Sequence, residues 1–292
     1  MKKRKKITPF DVVVHIISGF LLLIVLYPLI VVLSSSISEP ALVATGKVVL
    51  LPKGINFEGY KAVFSDKDIM IGYANTIFYT VFGTIINLLV TVPAGYALTK
   101  KNVLGRNFFM TMFMITMYFS GGLIPTFLLV NSLGLYNTRW ILLILGAFNT
   151  YNCIICRSFF AAMPVELEEA AEIDGSNPLK TFIQIILPLS KALMGVMVLY
   201  FGVAHWNSYF NAMIYTKESE MQPLQLVLRR ILILAQMAMN AEEGGEYALA
   251  MANREALIRY AVIVVSSAPL LIIYPFLQKY FDKGVLIGSV KG

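Results

Sequence analysis

The sequence of 292 residues is poor in charged side chains, which make up 14% of it, and it contains two histidines and two cysteines. So few residues offer no cluster of His, Cys and carboxylate side chains from which a metal site could be built. The phosphate-binding pattern G-x-x-x-x-G-K-[ST] is also missing from the printed sequence, so the usual device for binding ATP is not encoded. We therefore predict no metal site, no catalytic residue and no cofactor in this chain.

Cys153 and Cys156 form a C-x-x-C pattern, which in other settings indicates zinc or redox chemistry. Here the pattern lies inside an apolar stretch, and the sequence contains no second cysteine pair. Cysteine in such surroundings behaves as a small apolar side chain. We interpret both thiols as packing groups in a buried helix.

The scarcity of charge is concentrated in long apolar stretches, and 58% of all residues are hydrophobic. Six gaps contain no Asp, Glu, Lys or Arg: 12–38, 69–99, 107–138, 140–156, 192–216 and 260–278. About 20 helical residues cross the hydrocarbon core of a bilayer, so each gap is a candidate span. The gap at 140–156 is short, and its helix must borrow flanking residues such as Arg157, whose charged head can reach the interface. We predict an all-α, polytopic membrane protein with six transmembrane helices.

Basic residues orient these predicted spans. Five of the first six residues are Lys or Arg, and an even number of spans places both termini on the same side, which the positive-inside rule makes the cytoplasm. The run from Val12 to Leu33 is longer than a usual signal-peptide core, so we interpret it as an uncleaved first span. The predicted segments are a basic cytoplasmic tail (1–11), the first span with an external loop (12–68), a transmembrane core (69–281) containing a cytoplasmic loop at about 161–191, and a cytoplasmic C-terminal tail (282–292).

The cytoplasmic loop has the pattern of two short helices joined by a tight turn. Pro164 suits the first position of a helix, and the glutamates that follow it suit the positive end of the helix dipole. Gly175 supplies a left-handed C-terminal stop. Asn177 is a candidate N-cap for a second helix, with Pro178 at its first position. We predict a protruding helix-turn-helix.

The first of these helices carries small residues on one face. Leu167, Ala170, Ala171 and Asp174 share that face, and we expect the two alanines to let another protein approach the backbone. An ordinary amphipathic loop between membrane spans is the alternative that the pattern alone leaves open.

The residue identities in the loop go beyond the pattern. Glu169-Ala170-Ala171, then Gly175, then Ile185-x-Leu187-Pro188 resemble the loop of the inner-membrane permeases of ATP-binding cassette (ABC) importers. The resemblance implies the type I importer permease fold and a loop that inserts into a cleft of a separate ATPase. The residues implied in this coupling are Glu169, Ala170, Ala171, Asp174, Gly175, Ile185, Leu187 and Pro188.

The predicted fifth span has a polar and aromatic cluster near its outer half. Aromatic rings stack on sugar faces, while amides and hydroxyls match sugar hydroxyls. An interfacial aromatic belt would have the same composition, and interhelical hydrogen bonds would explain the polar residues of the other spans. The possible substrate-pathway residues are Tyr118, Asn149, Asn152, His205, Trp206, Asn207, Tyr209 and Asn211.

The pair Trp206-Asn207 resembles the Trp-Asn pair of carbohydrate-uptake permeases of the maltose type. The longer string from Phe201 to Gln225 resembles the oligosaccharide-importing branch of that family. The resemblance implies a bilayer-embedded heterodimer with a second homologous permease, an ABC ATPase dimer that binds ATP and Mg, and an extracellular or periplasmic sugar-binding protein. It implies no nucleic-acid partner and a multi-pass location in the bacterial cytoplasmic (inner) membrane.

We therefore expect a permease subunit that is not itself an enzyme and that takes up an oligosaccharide. Two alternatives remain at this point. An ABC permease for a non-sugar solute would keep the coupling loop and change the lining of span five. An ion-coupled secondary transporter would normally place an ionisable relay within its spans, where this sequence has only His15 and His205.

Overall fold

The computed structural model of the chain describes residues 8–240 and 258–275, and within these ranges the chain forms helices and no β-strand. This confirms the predicted all-α class for the part described. The helices are α1 (Pro9–Ser36), α2 (Pro40–Ala44), α3 (Glu58–Ser65), α4 (Lys67–Ala97), α5 (Arg106–Tyr118), α6 (Leu123–Ser132), α7 (Arg139–Ile144), α8 (Thr150–Ala161), α9 (Glu166–Ile173), α10 (Pro178–Thr181), α11 (Leu187–Leu189), α12 (Lys191–Trp206), α13 (Phe210–Tyr215), α14 (Leu224–Asn240) and α15 (Ile258–Pro275). A π-helical turn (Phe182–Ile186) lies between α10 and α11, and a 3-10 turn (Ser219–Met221) precedes α14.

Three helices within the described ranges are long and apolar enough to cross a membrane by themselves, namely α1, α4 and α15. Two further pairs reach that length only when taken together. The pair α5 with α6 is bent by 117°, and the helical segment Pro178–Leu189 with α12 is bent by 84°. The described residues thus contain three to five candidate spans, and the six-span arrangement stays a prediction.

The candidate spans over 107–138 and 140–156 are not single helices in the structure. The first is interrupted between α5 and α6, where Gly122 has a φ of +85° that favours glycine. The second is interrupted between α7 and α8. Asn149 caps α8 by accepting the backbone N–H of Asn152 at 2.9 Å. Glycine favours the end of a helix, and an asparagine N-cap favours the start of a new one. Neither favours one continuous helix through these positions.

The chain divides into two compact units, the first of which consists of Met1–Met70 with Leu228–Ala268. In this unit α1 is exposed along its apolar length and buried only at its serine-rich C-terminal end. The Ser34 hydroxyl donates to the Leu50 carbonyl at 2.7 Å, and the Ser36 hydroxyl lies 2.8 Å from that of Tyr60. The end of α1 is therefore bonded into the loop that follows it.

The second unit, Ile71–Val227 with Pro269–Gly292, contains two apolar clusters in its described part. Side chains from α4, α8, the π turn and α12 form the inner cluster: Val92, Tyr96, Cys156, Phe160, Phe182, Ile186, Leu193, Met197 and Phe201. Side chains from α4, α6, α7 and α13 form the other: Tyr79, Val130, Ile141, Leu142, Leu143, Ala212 and Tyr215.

The two cysteines are free and buried, which confirms their interpretation as packing groups. Cys156 lies directly against α4 at Gly95. A Cβ atom at residue 95 would come within 2.5 Å of the Cys156 Cβ atom, which is closer than real atoms approach. Helices α4 and α8 can therefore meet here only because residue 95 has no side chain.

Candidate functional site

The first arm of the coupling loop (161–191) is α9, and a Schellman motif at Gly175 closes this helix. The backbone N–H of Ser176 donates to the Ala171 carbonyl at 2.9 Å, and that of Gly175 donates to the Glu172 carbonyl at 3.0 Å. Gly175 has a φ of +74°, which confirms the predicted left-handed stop. The turn therefore satisfies the last carbonyls of α9 within the loop itself.

The second arm starts as predicted, while the first does not. The side chain of Asn177 accepts the Lys180 backbone N–H at 2.8 Å, and Pro178 occupies the first helical position. Pro164, however, lies before the helix. The backbone N–H of Glu169 donates to the Val165 carbonyl at 3.2 Å, so α9 begins after Val165, and the predicted position of Pro164 is wrong by two residues.

The two alanines of the motif do not share an outer face. Ala170 is exposed, as are Glu169 and Asp174, but Ala171 is only 3% exposed within its own chain. Consecutive residues point about 100° apart around a helix, so one alanine can face inward while its neighbour faces outward. The expectation that both alanines offer close approach to a partner is wrong for Ala171.

Two apolar side chains that the sequence reasoning missed flank the Gly175 turn. Ile173 is 86% exposed and Leu179 is 67% exposed. Both side chains are exposed on a loop outside the apolar stretches, which makes this turn a candidate surface for another protein. The available signal was Ile173 itself, a large apolar residue at the end of a helix made mostly of glutamate and alanine.

The second arm is fixed to the inner cluster through its π turn. Phe182 and Ile186 are 6% and 1% exposed, whereas Ile185 is half-buried. The predicted residues Leu187 and Pro188, half-buried and exposed, follow directly. Proline has no N–H for the carbonyl four residues before it and crowds that carbonyl, and a π turn is one way in which a helix accommodates this.

A second group of functional candidates surrounds His205, which lies next to Asn87 of α4. The His205 Nε2 atom is 2.6 Å from the Asn87 Oδ1 atom. The Asn87 Nδ2 atom donates to the carbonyls of Gly146 at 2.7 Å and Ala147 at 2.9 Å. Both amide N–H groups of Asn87 are thus used. Its remaining atom Oδ1 can only accept, so His205 donates through Nε2. We call this arrangement the amide bridge.

The amide bridge satisfies backbone that would otherwise be unpaired. Gly146 and Ala147 lie between α7 and α8, where the helical ladder is interrupted. Non-helical backbone at membrane depth is tolerated only where protein groups or water satisfy it. Asn87 is 2% exposed, and a Cβ atom at Gly83, one turn earlier, would overlap the His205 ring. Sequence reasoning missed Asn87, and Gly83 was the only local sign that α4 makes room for a ring.

The residues that follow His205 differ in their surroundings. Trp206 is 5% exposed and meets the Tyr73 ring edge-on, with ring centres 5.8 Å apart. The Asn207 side chain donates to the Val203 carbonyl at 3.0 Å, within its own helix. Tyr209 is 38% exposed. Of these aromatic candidates, Tyr209 is the one with ring surface available to a solute.

The remaining candidates lie at other helix ends. Tyr118 ends α5 and is 82% exposed, Asn149 and Asn152 belong to the start of α8, and Asn211 is half-buried in α13. The hydroxyls of Thr116 and Thr150, 3.4 Å apart, bring the α5 and α8 ends together. The eight predicted pathway residues are therefore distributed over the ends of four helices rather than gathered around His205.

Polar residues of α4 also hold the stretch that precedes α14. The Asn75 side chain donates to the carbonyls of Glu220 at 2.7 Å and Gln222 at 3.0 Å. The Thr76 hydroxyl accepts the backbone N–H of Leu224 at 2.8 Å. Part of the string that resembles oligosaccharide permeases thus has a structural role, since its backbone is bonded to α4.

Comparison with known proteins agrees with this architecture. Residues 69–287 match the family described as binding-protein-dependent transport system inner membrane component. The chain is 40% identical over 283 residues to Protein LplC of Bacillus subtilis (strain 168), covering 97% of this chain and 95% of that protein. It is 39% identical over 287 residues to the polygalacturonan/rhamnogalacturonan transport system permease protein YtcP of the same strain, covering 97% and 98%.

A similar solved structure is the crystal structure of a bacterial ABC transporter involved in the import of the acidic polysaccharide alginate. The TM-score is 0.84 at 38% sequence identity, and the match covers 93% of this chain and 96% of that chain. The sequence match and the structural likeness agree. The chain belongs to the family of binding-protein-dependent transport system inner membrane components, the permeases of ABC importers.

Proposed function

We propose that this chain is the permease subunit of an ABC importer that takes up an oligosaccharide delivered by an external solute-binding protein. The observation that carries the proposal is the likeness to the alginate importer over 93% of the chain. The relative YtcP is named for the transport of polygalacturonan and rhamnogalacturonan. An acidic oligosaccharide is therefore the substrate class that we propose.

The coupling loop is the proposed contact with a separate ATPase dimer, which binds ATP and Mg. Its support is geometric, since Glu169, Ala170 and Asp174 are exposed and Ile173 and Leu179 add apolar area beside them. The remaining motif residues have structural roles in this proposal: Ala171 and Gly175 close the first arm, and Ile185, Leu187 and Pro188 shape the second. The chain itself performs no hydrolysis.

We also propose six spans with both termini in the cytoplasm, in the cytoplasmic membrane of a bacterium. The proposed segments are those predicted from the sequence, with the permease core at 69–281. A second homologous permease completes the heterodimer, and the exposed apolar length of α1 is available to lipid or to that subunit. Reporter fusions in the tail 1–11, the loop 39–57 and the coupling loop test this topology. Equal cytoplasmic signals from all three positions would contradict it.

Transport by the purified complex tests the substrate. The chain is reconstituted with its partner permease, its ATPase and the cognate binding protein, and uptake and ATP hydrolysis are measured together. We expect oligogalacturonate or oligoalginate to stimulate both, and free amino acids to stimulate neither. Stimulation by neutral maltooligosaccharides alone would overturn the acidic assignment, and stimulation by amino acids alone would overturn the sugar assignment. Uptake driven by an ion gradient without ATP would support a secondary transporter instead.

A further inference from the structure

Lys100 follows the inner end of α4 and connects it to the first arm of the coupling loop. Its ammonium group forms an ion pair with the carboxylate of Glu168 on α9, and the two side chains are 28% and 34% exposed. The same ammonium group lies 4.2 Å from the centre of the Tyr96 ring. Lys100 therefore has two attractive partners, one on the loop and one on α4.

Tyr96 extends this connection to the second arm. Its ring stacks on that of Phe182, with centres 4.8 Å apart and planes at 29°. Phe160 of α8 meets the Tyr96 ring edge-on at 5.5 Å. Tyr96 and Phe182 are 8% and 6% exposed. Glu168, Lys100, Tyr96 and Phe182 thus form a continuous series of contacts that joins both arms of the loop to α4.

A partly exposed ion pair by itself contributes little to stability. Any role of the Lys100–Glu168 pair in transport therefore depends on which elements it connects. An ammonium group over an aromatic ring gains further attraction. The pair also borders an open cavity of about 610 Å³ between the loop and α4, lined in part by Pro93, Tyr96, Lys100, Glu168, Leu179 and Phe182. Because this space is not filled by side chains, the Lys100 ion pair is a contact that joins α9 to the segment after α4 beside the open cavity.

We propose that Lys100 is a positioning residue that transmits displacement of the coupling loop to α4 through Glu168 and Tyr96. Movement imposed on α9 then reaches α4 directly, in addition to travelling along the chain into α12. Helix α4 carries Asn87 of the amide bridge, so it also contacts the interrupted span between α7 and α8. This inference rests on the proposed function, because it requires an ATPase that moves the loop.

A charge exchange tests the proposal in the complete complex. Lys100→Glu and Glu168→Lys each replace the attraction with repulsion, and each is expected to lower the sugar transported per ATP hydrolysed about five- to tenfold. The double variant Lys100→Glu/Glu168→Lys restores the ion pair but not the contact of an ammonium group with the Tyr96 ring, so it is expected to recover that ratio in part, to clearly above either single variant. Lys100→Arg keeps the charge and is expected to behave like wild type. Lys101→Glu, the same change at the exposed neighbouring residue, is the matched control and is expected to leave the ratio unchanged.

Membrane abundance and ATPase pull-down are measured for every variant, and Lys100→Gln provides a milder loss if a reversed charge reduces abundance. Single variants with wild-type ratios would overturn the proposal, as would a double variant that stays as impaired as its parents. Equal damage from Lys101→Glu would overturn it as well, because charge alone would then explain the effect. Failure of the proposed function can be distinguished from failure of the Lys100 proposal. It would appear in the wild-type complex as ATP hydrolysis that no oligosaccharide stimulates.

Discussion

Replacing Asn87 with leucine is expected to destabilise the membrane fold by removing the amide bridge. Leucine has the same branched shape and the same number of side-chain heavy atoms, so the change removes the hydrogen bonds while keeping the shape. The carbonyls of Gly146 and Ala147 and the Nε2 N–H of His205 lose their partner together. Hydrogen bonds between membrane helices are each worth about 0.6 kcal/mol on average and up to about 1.7 kcal/mol, so the three together suggest roughly 2–5 kcal/mol.

The neighbouring Thr84 provides the matched control on the same helix. Its side chain is 8% exposed, and its hydroxyl has no hydrogen-bond partner among the described residues. Thr84→Val removes that hydroxyl at constant shape and is expected to be neutral or slightly stabilising. Asn87→Asp keeps an acceptor for His205 but cannot donate to the two carbonyls, so its loss should lie close to that of Asn87→Leu.

Unfolding of the purified complex in mild detergent, followed by heating or by increasing denaturant, measures these differences. The expected order of stability is wild type close to Thr84→Val, with both Asn87 variants clearly lower. Equal midpoints for Asn87→Leu and Thr84→Val would refute the reasoning, because the three hydrogen bonds would then contribute nothing measurable to stability.

Four further predictions concern the loop and the pathway. Gly175→Val is expected to abolish uptake, because the left-handed φ at residue 175 costs an L-residue about 1–2 kcal/mol and so displaces α9. Membrane abundance is expected to stay normal, because an added Cβ atom meets nothing within 4 Å. Wild-type uptake would contradict this prediction. Ile173→Ser and Glu169→Lys are expected to weaken ATPase pull-down without affecting insertion, and unchanged pull-down would make the loop a connector only. Trp206→Ala is expected to lower stability by about 3–5 kcal/mol because its ring is buried, measured by detergent unfolding. Tyr209→Ala is expected to reduce uptake several-fold at unchanged stability, and unchanged uptake would assign its ring to an aromatic belt.

The coupling loop could be predicted from the sequence because its signals are local. A glycine C-terminal stop and an Asn-Pro start act through backbone atoms within a few residues, and both were found at Gly175 and Asn177. The inward direction of Ala171 could not be predicted, because neighbouring positions on a helix differ only through what packs against them. The same limit applies to Ile173, whose exposure depends on which side chains the described part of the chain packs beside it.

The interrupted spans illustrate a second limit. Gly146 and Ala147 are paired by Asn87, which lies 59 and 60 residues away along the chain. No local pattern reveals a partner at that separation, so a charge-free gap was interpreted as one helix. The aromatic and amide residues around Trp206 could not show whether its ring is buried or faces a solute. A ring buried against Tyr73 and a ring facing a solute have the same composition around them.

The π turn at Phe182–Ile186 places one more residue in the second arm than an α-helix of the same rise would contain. Each residue rotates a helix by about 100°, so one residue added beyond this turn would rotate Leu187, Pro188 and the start of α12 by more than a quarter of a circle, whereas loss of the extra residue would return the turn to an α-helix. Phe182 and Ile186 are both held in the inner cluster, which prevents the arm from absorbing such a rotation elsewhere. Single-residue insertions between Gly175 and Pro188 should therefore be tolerated far less well than most substitutions, and less well than deletion of one residue within the π turn.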